Sequence, residues 1–271
     1  MSTITLTRRT AASARGFADG FSHVVSLLKH RGVDVAWLES LQLIANETAE
    51  RAEHDAATFW LNTATGGRFN FMEPDERELD IVDIALSLSH QARYAGHTLR
   101  AYSVAEHSLV VLRAAEILGL SIEDRRWALM HDAAEAYTTD VPWPLKAAGL
   151  APELGRVEKA VMVVIAARYG LLAEEPAVVK ELDLEVLDCE AEALLLRHLD
   201  WPRGTPRKPR EAVSMAFDQV VLDGGEVANS YAVARTFIRQ AGRIGVITET
   251  ETEEACARLG RLEIALLMRR W

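Results

Sequence analysis

Thiol chemistry is almost absent from this sequence. Two of its 271 residues are cysteines, Cys189 and Cys256, and neither stands in a C-x-x-C pair. A disulfide framework or a thiolate zinc site is therefore not expected, and a reducing cytoplasm is the expected compartment. Long apolar runs are missing too. None approaches the roughly 20 residues that a bilayer-spanning helix needs, so no membrane partner is expected. Positive charge is in deficit: the net charge is −10. That argues against a broad surface for a nucleic-acid polymer but leaves room for a small basic pocket. With 16 glycines and 8 prolines, the chain is too poor in both to be a low-complexity protein. Residues 1–17 carry Arg8, Arg9 and Arg15 and no acid, yet lack the apolar centre of a signal peptide. A frayed N-terminus is expected there.

Hydrophobic residues make up 49% of the chain, enough for a full core. Their spacing is helical nearly throughout, with almost no strand signal. Two helices are expected within 16–65, where Phe17, Phe21, Val24 and Leu28 recur, followed by Trp37, Leu38, Leu41 and Ile44. His23, His30 and His54 have no ligand partners at useful spacing. The run Thr63–Asn70, with Gly66 and Gly67, reads as a loop and a boundary, with Phe69 and Phe71 as its anchors. Helical character resumes after Pro74, its first turn acidic, and continues toward Arg93-Tyr94-Ala95-Gly96-His97, where Gly96 can stop it. Ser103 and Glu106 form an S-x-x-E capping box at the head of the next helix, which carries His107. Further helices are expected at 152–169, from Pro176 to Leu199, and over 210–222, 227–242 and 248–269. Asp188, Glu190 and Glu192 read as a solvated face, with less force at Glu190. Trp201–Pro209 is rich in proline and basic residues and reads as a linker. The expected organisation is an N-terminal helical extension (1–65), a central domain (66–204) and a C-terminal helical extension (205–271).

The stretch Trp127–Lys146 organises the rest. Its apolar helix, starting near Ser121, carries His131, Asp132 and Glu135, and the stretch ends in Asp140-Val-Pro142-Trp-Pro144-Leu-Lys146. Successive helical side chains point about 100° apart, so His131 and Asp132 can straddle one point, and Glu135 lies on the same side. A nitrogen, a carboxylate and a second carboxylate nearby suit a metal ion and an activated water. A lone pair of this kind is more often a solvated helix face, but Leu129, Met130, Ala133, Ala134 and Ala136 leave little polar surface here. Asp183 lies beside Leu182 and Val186, next to an apolar face where an unpaired carboxylate is costly. His107, His131, Asp132 and Asp183 together form a mixed N/O set for one divalent ion. Manganese, cobalt, iron and zinc all suit it better than magnesium.

The order His107, His131-Asp132, Asp183 resembles the HD-domain metal-dependent phosphohydrolases. The blocks Ser103–Ser108, Met130–Lys146 and Val179–Asp183, with Arg93-Tyr94 upstream, resemble the bacterial 5′-deoxynucleotidase branch and its phage and prophage relatives. The resemblance covers roughly residues 68–200. It implies an all-α HD-domain bundle, with helices added at both ends that have no counterpart in the compact relatives. It implies one divalent metal on His107, His131, Asp132 and Asp183, and hydrolysis of a small deoxynucleotide, a dNMP giving deoxynucleoside and phosphate. Glu135 would orient the water or carry its proton. Arg93 and Lys146 would offset phosphate charge. Tyr94 would pack on the base, Asp140 would accept from the sugar 3′-hydroxyl, and His97 would line the pocket. A homodimer is the relatives' common state. More ordinary roles stay open: Arg93 as a helix-end cation, Tyr94 as core, Lys146 as solvated, Asp140 as a turn cap. Hydrolysis of dNTPs, a non-catalytic nucleotide sensor and a vestigial site are the competing functions.

Overall fold

The computed structural model describes residues 6–32, 35–58, 60–195, 208–222 and 229–268. The fold is all-α, with one two-stranded ribbon. Among the described residues, no helix is long and apolar enough to cross a membrane. Most of the expected linker, and the boundary at 204/205, lie outside the described residues; the helix expected to reach Leu199 ends at Leu194, where Leu195 turns to extended backbone.

The chain divides into two compact units. The first comprises residues 1–62 and 68–75. Here α1 (Leu6–His30) and α2 (Ala36–Thr58) pack on one another. The N-terminus expected to fray is helical from Leu6, because Thr10–Ala14 is rich in the best helix former, alanine. Gly32 takes a positive φ of 73° at the turn that ends α1. β1 (Trp60–Asn62) pairs antiparallel with β2 (Arg68–Asn70), Leu61 opposite Phe69. The end of the run expected as a loop, Arg68–Asn70, is therefore a strand, which three residues could not announce by periodicity. Phe69 is buried and meets Phe71 edge-on.

The second unit comprises 63–67 and 76–271. Asp83, buried on α3 (Ile81–His90), accepts the backbone N–H and the hydroxyl of Thr65, at 2.8 and 2.7 Å. The helix expected after Pro74 begins later, because Asp80 caps it by accepting from the Val82 N–H. It also ends earlier, at Gln91. At the centre is α4 (Val104–Ile117), buried on nearly every side and opened by the full Ser103–Glu106 capping box. α5 (Ile122–Met130) packs on it, then come α6 (Glu135–Thr138), α7 (Trp143–Ala147), α8 (Pro152–Arg168), which meets α6, and α9 (Ala177–Leu194), which packs on α4 again. Next come α10 (Glu211–Phe217), which continues as a π turn over Asp218–Leu222, α11 (Ser230–Arg243) and α12 (Glu249–Met268). Val111 and Ala115 of α4, Trp127 of α5, Leu182 and Val186 of α9 and Phe217 of α10 share one core. α11 packs on α3 and α12. At the last contact Gly242 stands so close to Thr252 that no Cβ would fit.

Candidate metal centre

The expected single helix through His131 and Glu135 is two helices. After Met130 the hydrogen bonds shorten to the i to i−3 pattern: Ala133 N–H to Met130 O, Glu135 N–H to Asp132 O and Tyr137 N–H to Ala134 O, at 2.9 to 3.0 Å. Three residues per turn makes side chains at i and i+3 eclipse. The tightening brings Glu135 toward the face of Asp132, whose charge is felt at the Glu135 carboxyl.

Three more segments converge there. The capping box fixes the first turn of α4 and hence the position of His107, which has no exposed surface. Asp183 projects from α9. Arg93 is held beside the head of α4 by its N–H to Tyr102 O (3.0 Å) and by Val104 N–H to Gln91 O (3.1 Å). Beyond it Tyr94 and Ala95 adopt left-handed φ values of 55° and 52°. Such a conformation costs about 1–2 kcal/mol per non-glycine residue. Gly96, at φ 80°, closes this turn, which stands apart from α3 rather than continuing it.

His131 Nδ1 lies 3.0 Å from the Ala128 carbonyl, which can only accept, so Nδ1 carries the proton. His107 Nδ1 lies 2.6 Å from Glu190 Oε1. With both rings neutral their Nε2 atoms are acceptors, and they face each other at 3.1 Å. Asp183 Oδ1 is 3.0 Å from one and 3.8 Å from the other. The ligand atoms of His107, His131 and Asp183 all lie within 4.8 Å of one another. Asp132 Oδ2 stands 3.3 Å from His131 Nε2 and 3.7 Å from His107 Nε2. Converging acceptors repel unless a cation lies among them, and two neutral imidazoles with carboxylate oxygens suit a divalent first-row metal.

The electrostatics point the same way. Burial alone would lower the His131 pKa, but Asp132, then Asp183 and the Ala128 carbonyl, raise it to about 10. His107 is raised as well. Burial opposes ionisation of Asp132, yet His131, His107 and Arg93 hold it well below the usual carboxylate range. The centre therefore draws positive charge. Glu135 is the opposite case: burial first, then Asp132 and Asp140, push it up to about 9, against the pull of Lys146. Its Oε2 is buried without a hydrogen-bond partner among the described residues. Lys146 Nζ lies 3.4 Å from Glu135 Oε1 and 3.4 Å from Glu158 Oε2.

A cavity of about 590 Å³ opens onto this centre. Arg93, Tyr94, His97, Asp132, Glu135, Asp140, Lys146 and Asp183 all line it. Eight of the ten residues singled out in the sequence thus line one cavity, and the other two, His107 and His131, group with its Asp183. Asp140 is fixed through its backbone, its N–H donating to Gln91 Oε1 at 2.9 Å.

The largest departure from the sequence reading is Glu190. Expected on a solvated face, it is fully buried and accepts from Arg93, Tyr94, Tyr102 and His107. Against the cost of burial, Arg93 and His107 lower its pKa to about 2. The signal was in the spacing: seven residues after Asp183 is two turns along the same face of α9. Glu158 and the cavity-lining Lys180 and Trp143 also went unremarked. Asp188 is half-buried and Glu192 exposed.

No family model matches the chain. Over 131 residues it is 37% identical to the uncharacterized protein YfdR of Escherichia coli, a match covering 48% of this chain and 70% of that protein. Over 125 residues it is 36% identical to an uncharacterized protein of Rhodobacter capsulatus, covering 45% of this chain and 63% of that one. At this identity and coverage, the chain belongs to the family of the E. coli protein YfdR.

Proposed function

We propose that the protein is an HD-type metal-dependent phosphohydrolase acting on small deoxynucleotides, with a 5′-deoxynucleotidase activity on dNMPs. The observation that carries this reading is one cavity lined by Asp132, Asp183, Glu135, Arg93 and Lys146, with Asp183 also grouped with His107 and His131. A divalent cation would be held by those two histidines with Asp132 and Asp183. The chemistry it would supply is polarisation of a phosphoryl oxygen and acidification of a water. Glu135, kept protonatable near neutrality by its burial, would hold the proton exchanged with that water. Arg93 and Lys146 would meet the charge gathering on the phosphoryl oxygens. Tyr94 and Trp143 offer aromatic surface for a base, and Asp140 an acceptor for a sugar hydroxyl. Two free thiols and no pairing suit a reducing cytoplasm.

Lys180, a third cation on the cavity wall, favours a second reading, hydrolysis of dNTPs. Release of phosphate, pyrophosphate or triphosphate from dNMPs, dNTPs and ribonucleotides separates the two, with manganese, cobalt, zinc or magnesium and an Asp132→Ala control. Metal-dependent phosphate release from dNMPs, lost in the control, supports the nucleotidase. Triphosphate release moves the substrate, and silence across the panel with metal bound sinks both.

A further inference from the structure

Glu190 divides its contacts between two oxygens. Oε1 faces His107 Nδ1 at 2.6 Å and the Tyr102 hydroxyl at 2.9 Å. Oε2 accepts from Arg93 Nε and Nη2, at 3.2 and 3.0 Å, and from the Tyr94 hydroxyl at 2.7 Å. An ionised carboxylate only accepts and offers about four lone-pair positions. These donors saturate it, so glutamine in its place would turn a donor onto a donor. We infer that Glu190 is a positioning residue serving both halves of the site. Through Oε1 it holds His107 with Nδ1 protonated and Nε2 aimed at His131 and Asp183. Through Oε2 it anchors Arg93 so that Nη1 stays at the cavity wall, 3.6 Å from Asp132 Oδ2.

One helix thus supplies a ligand, Asp183, and seven residues on the group that aims a second ligand. A histidine whose other nitrogen is held by a carboxylate keeps one tautomer and is the better donor, and loss of such a partner lowers metal affinity about 10–100-fold. The His107 half of the inference needs only a cation at the centre. The Arg93 half rests on the phosphohydrolase reading.

The test compares Glu190→Gln with Tyr102→Phe, which removes one hydrogen bond and leaves the carboxylate. Thermal melts establish that each is folded. Cobalt(II) is titrated by calorimetry and by its visible absorption, and KM and kcat are then measured at saturating cobalt. Glu190→Gln is expected to lose about 10–100-fold in cobalt affinity with an altered absorption band, and to raise KM more than it lowers kcat. Tyr102→Phe should stay within a few-fold of the parent. A folded Glu190→Gln protein with the parent's cobalt affinity and spectrum overturns the inference. If Glu190→Gln does not fold, histidine nitrogen NMR of the parent decides: one ring must show a downfield Nδ1 proton that shifts in Tyr102→Phe, and an Nε2-protonated ring in its place overturns the inference. Should the parent turn over no nucleotide, the hydrolase reading falls while the cobalt titration still judges Glu190.

Discussion

His107 and His131 present their Nε2 atoms to one another at 3.1 Å, each with its Nδ1 already committed to an acceptor. Two lone pairs at that distance, with Asp183 beside them, are stable around a cation. Manganese or cobalt should therefore stabilise the fold, by about 2.7 kcal/mol at a free concentration one hundred times Kd. Differential scanning fluorimetry with and without chelator measures this. Asp183→Ala should abolish the shift; a melting temperature indifferent to every metal would remove the basis for the site.

Glu135→Gln keeps the shape of the side chain and removes its capacity to exchange a proton. Turnover should fall about 10²–10⁴-fold, the usual contribution of a general acid–base group. Bound metal, counted by elemental analysis, should be unchanged. A variant that keeps full turnover would assign the proton step elsewhere.

Arg93→Ala would leave Glu190 buried with its main counter-charge gone. Breaking one side of a buried pair costs about 3–5 kcal/mol. A urea melt should show a loss of that order, apart from any effect on substrate. A loss below 1 kcal/mol would mean that the pair is compensated from outside.

Gly242→Ala should destabilise the protein by about 1–3 kcal/mol, the usual cost of overpacking. The added methyl would strike Thr252 across the α11–α12 contact. Gly242→Ala combined with Thr252→Ala should recover part of the loss, since the threonine hydroxyl oxygen and methyl are both among the crowded atoms. A single variant as stable as the parent would show that the helices can separate freely.

Cys189 is buried, and burial first of all pushes its thiol up to about 12, with Glu190 adding to it. Only the thiolate is alkylated, so at pH 7 iodoacetamide should label Cys256 first, with Cys189 labelled slowly and faster as pH rises. The same shift has a stability sign. The native state keeps this proton where the unfolded thiol has lost it, so the contribution is full below the unfolded value near 9 and is lost as pH climbs toward 12. Peptide mapping by mass spectrometry follows the first effect, and rapid labelling of Cys189 at pH 7 would contradict the assignment.

The helices, and the identity of the residues at the centre, could be read from the chain because both rest on local spacing. The capping box at Ser103–Glu106 forms as expected with both of its hydrogen bonds, and Ser121–Asp124 forms another of the same kind. Capping depends on residues three apart, so no tertiary information is needed to see it. The halt of α3 at Gln91 and the tightened turn at His131 are different. In each, the backbone leaves the α pattern its sequence favours because contacts from far along the chain hold it: Ser103 bridging Ala92, and the Gln91 amide donating to the Glu135 carbonyl at 2.9 Å.

By itself, then, the sequence determined an all-α chain and a set of histidines and carboxylates in an order suited to a metal. Periodicity, caps and donor chemistry are properties of neighbouring residues. Only the tertiary structure decided that Glu190 faces inward, that Glu135 is buried, and that Lys146 stands between Glu135 and Glu158. Whether a carboxylate is a solvated charge or an anchor depends on which donors reach it, and those of Glu190 come from 83 to 97 residues away along the chain.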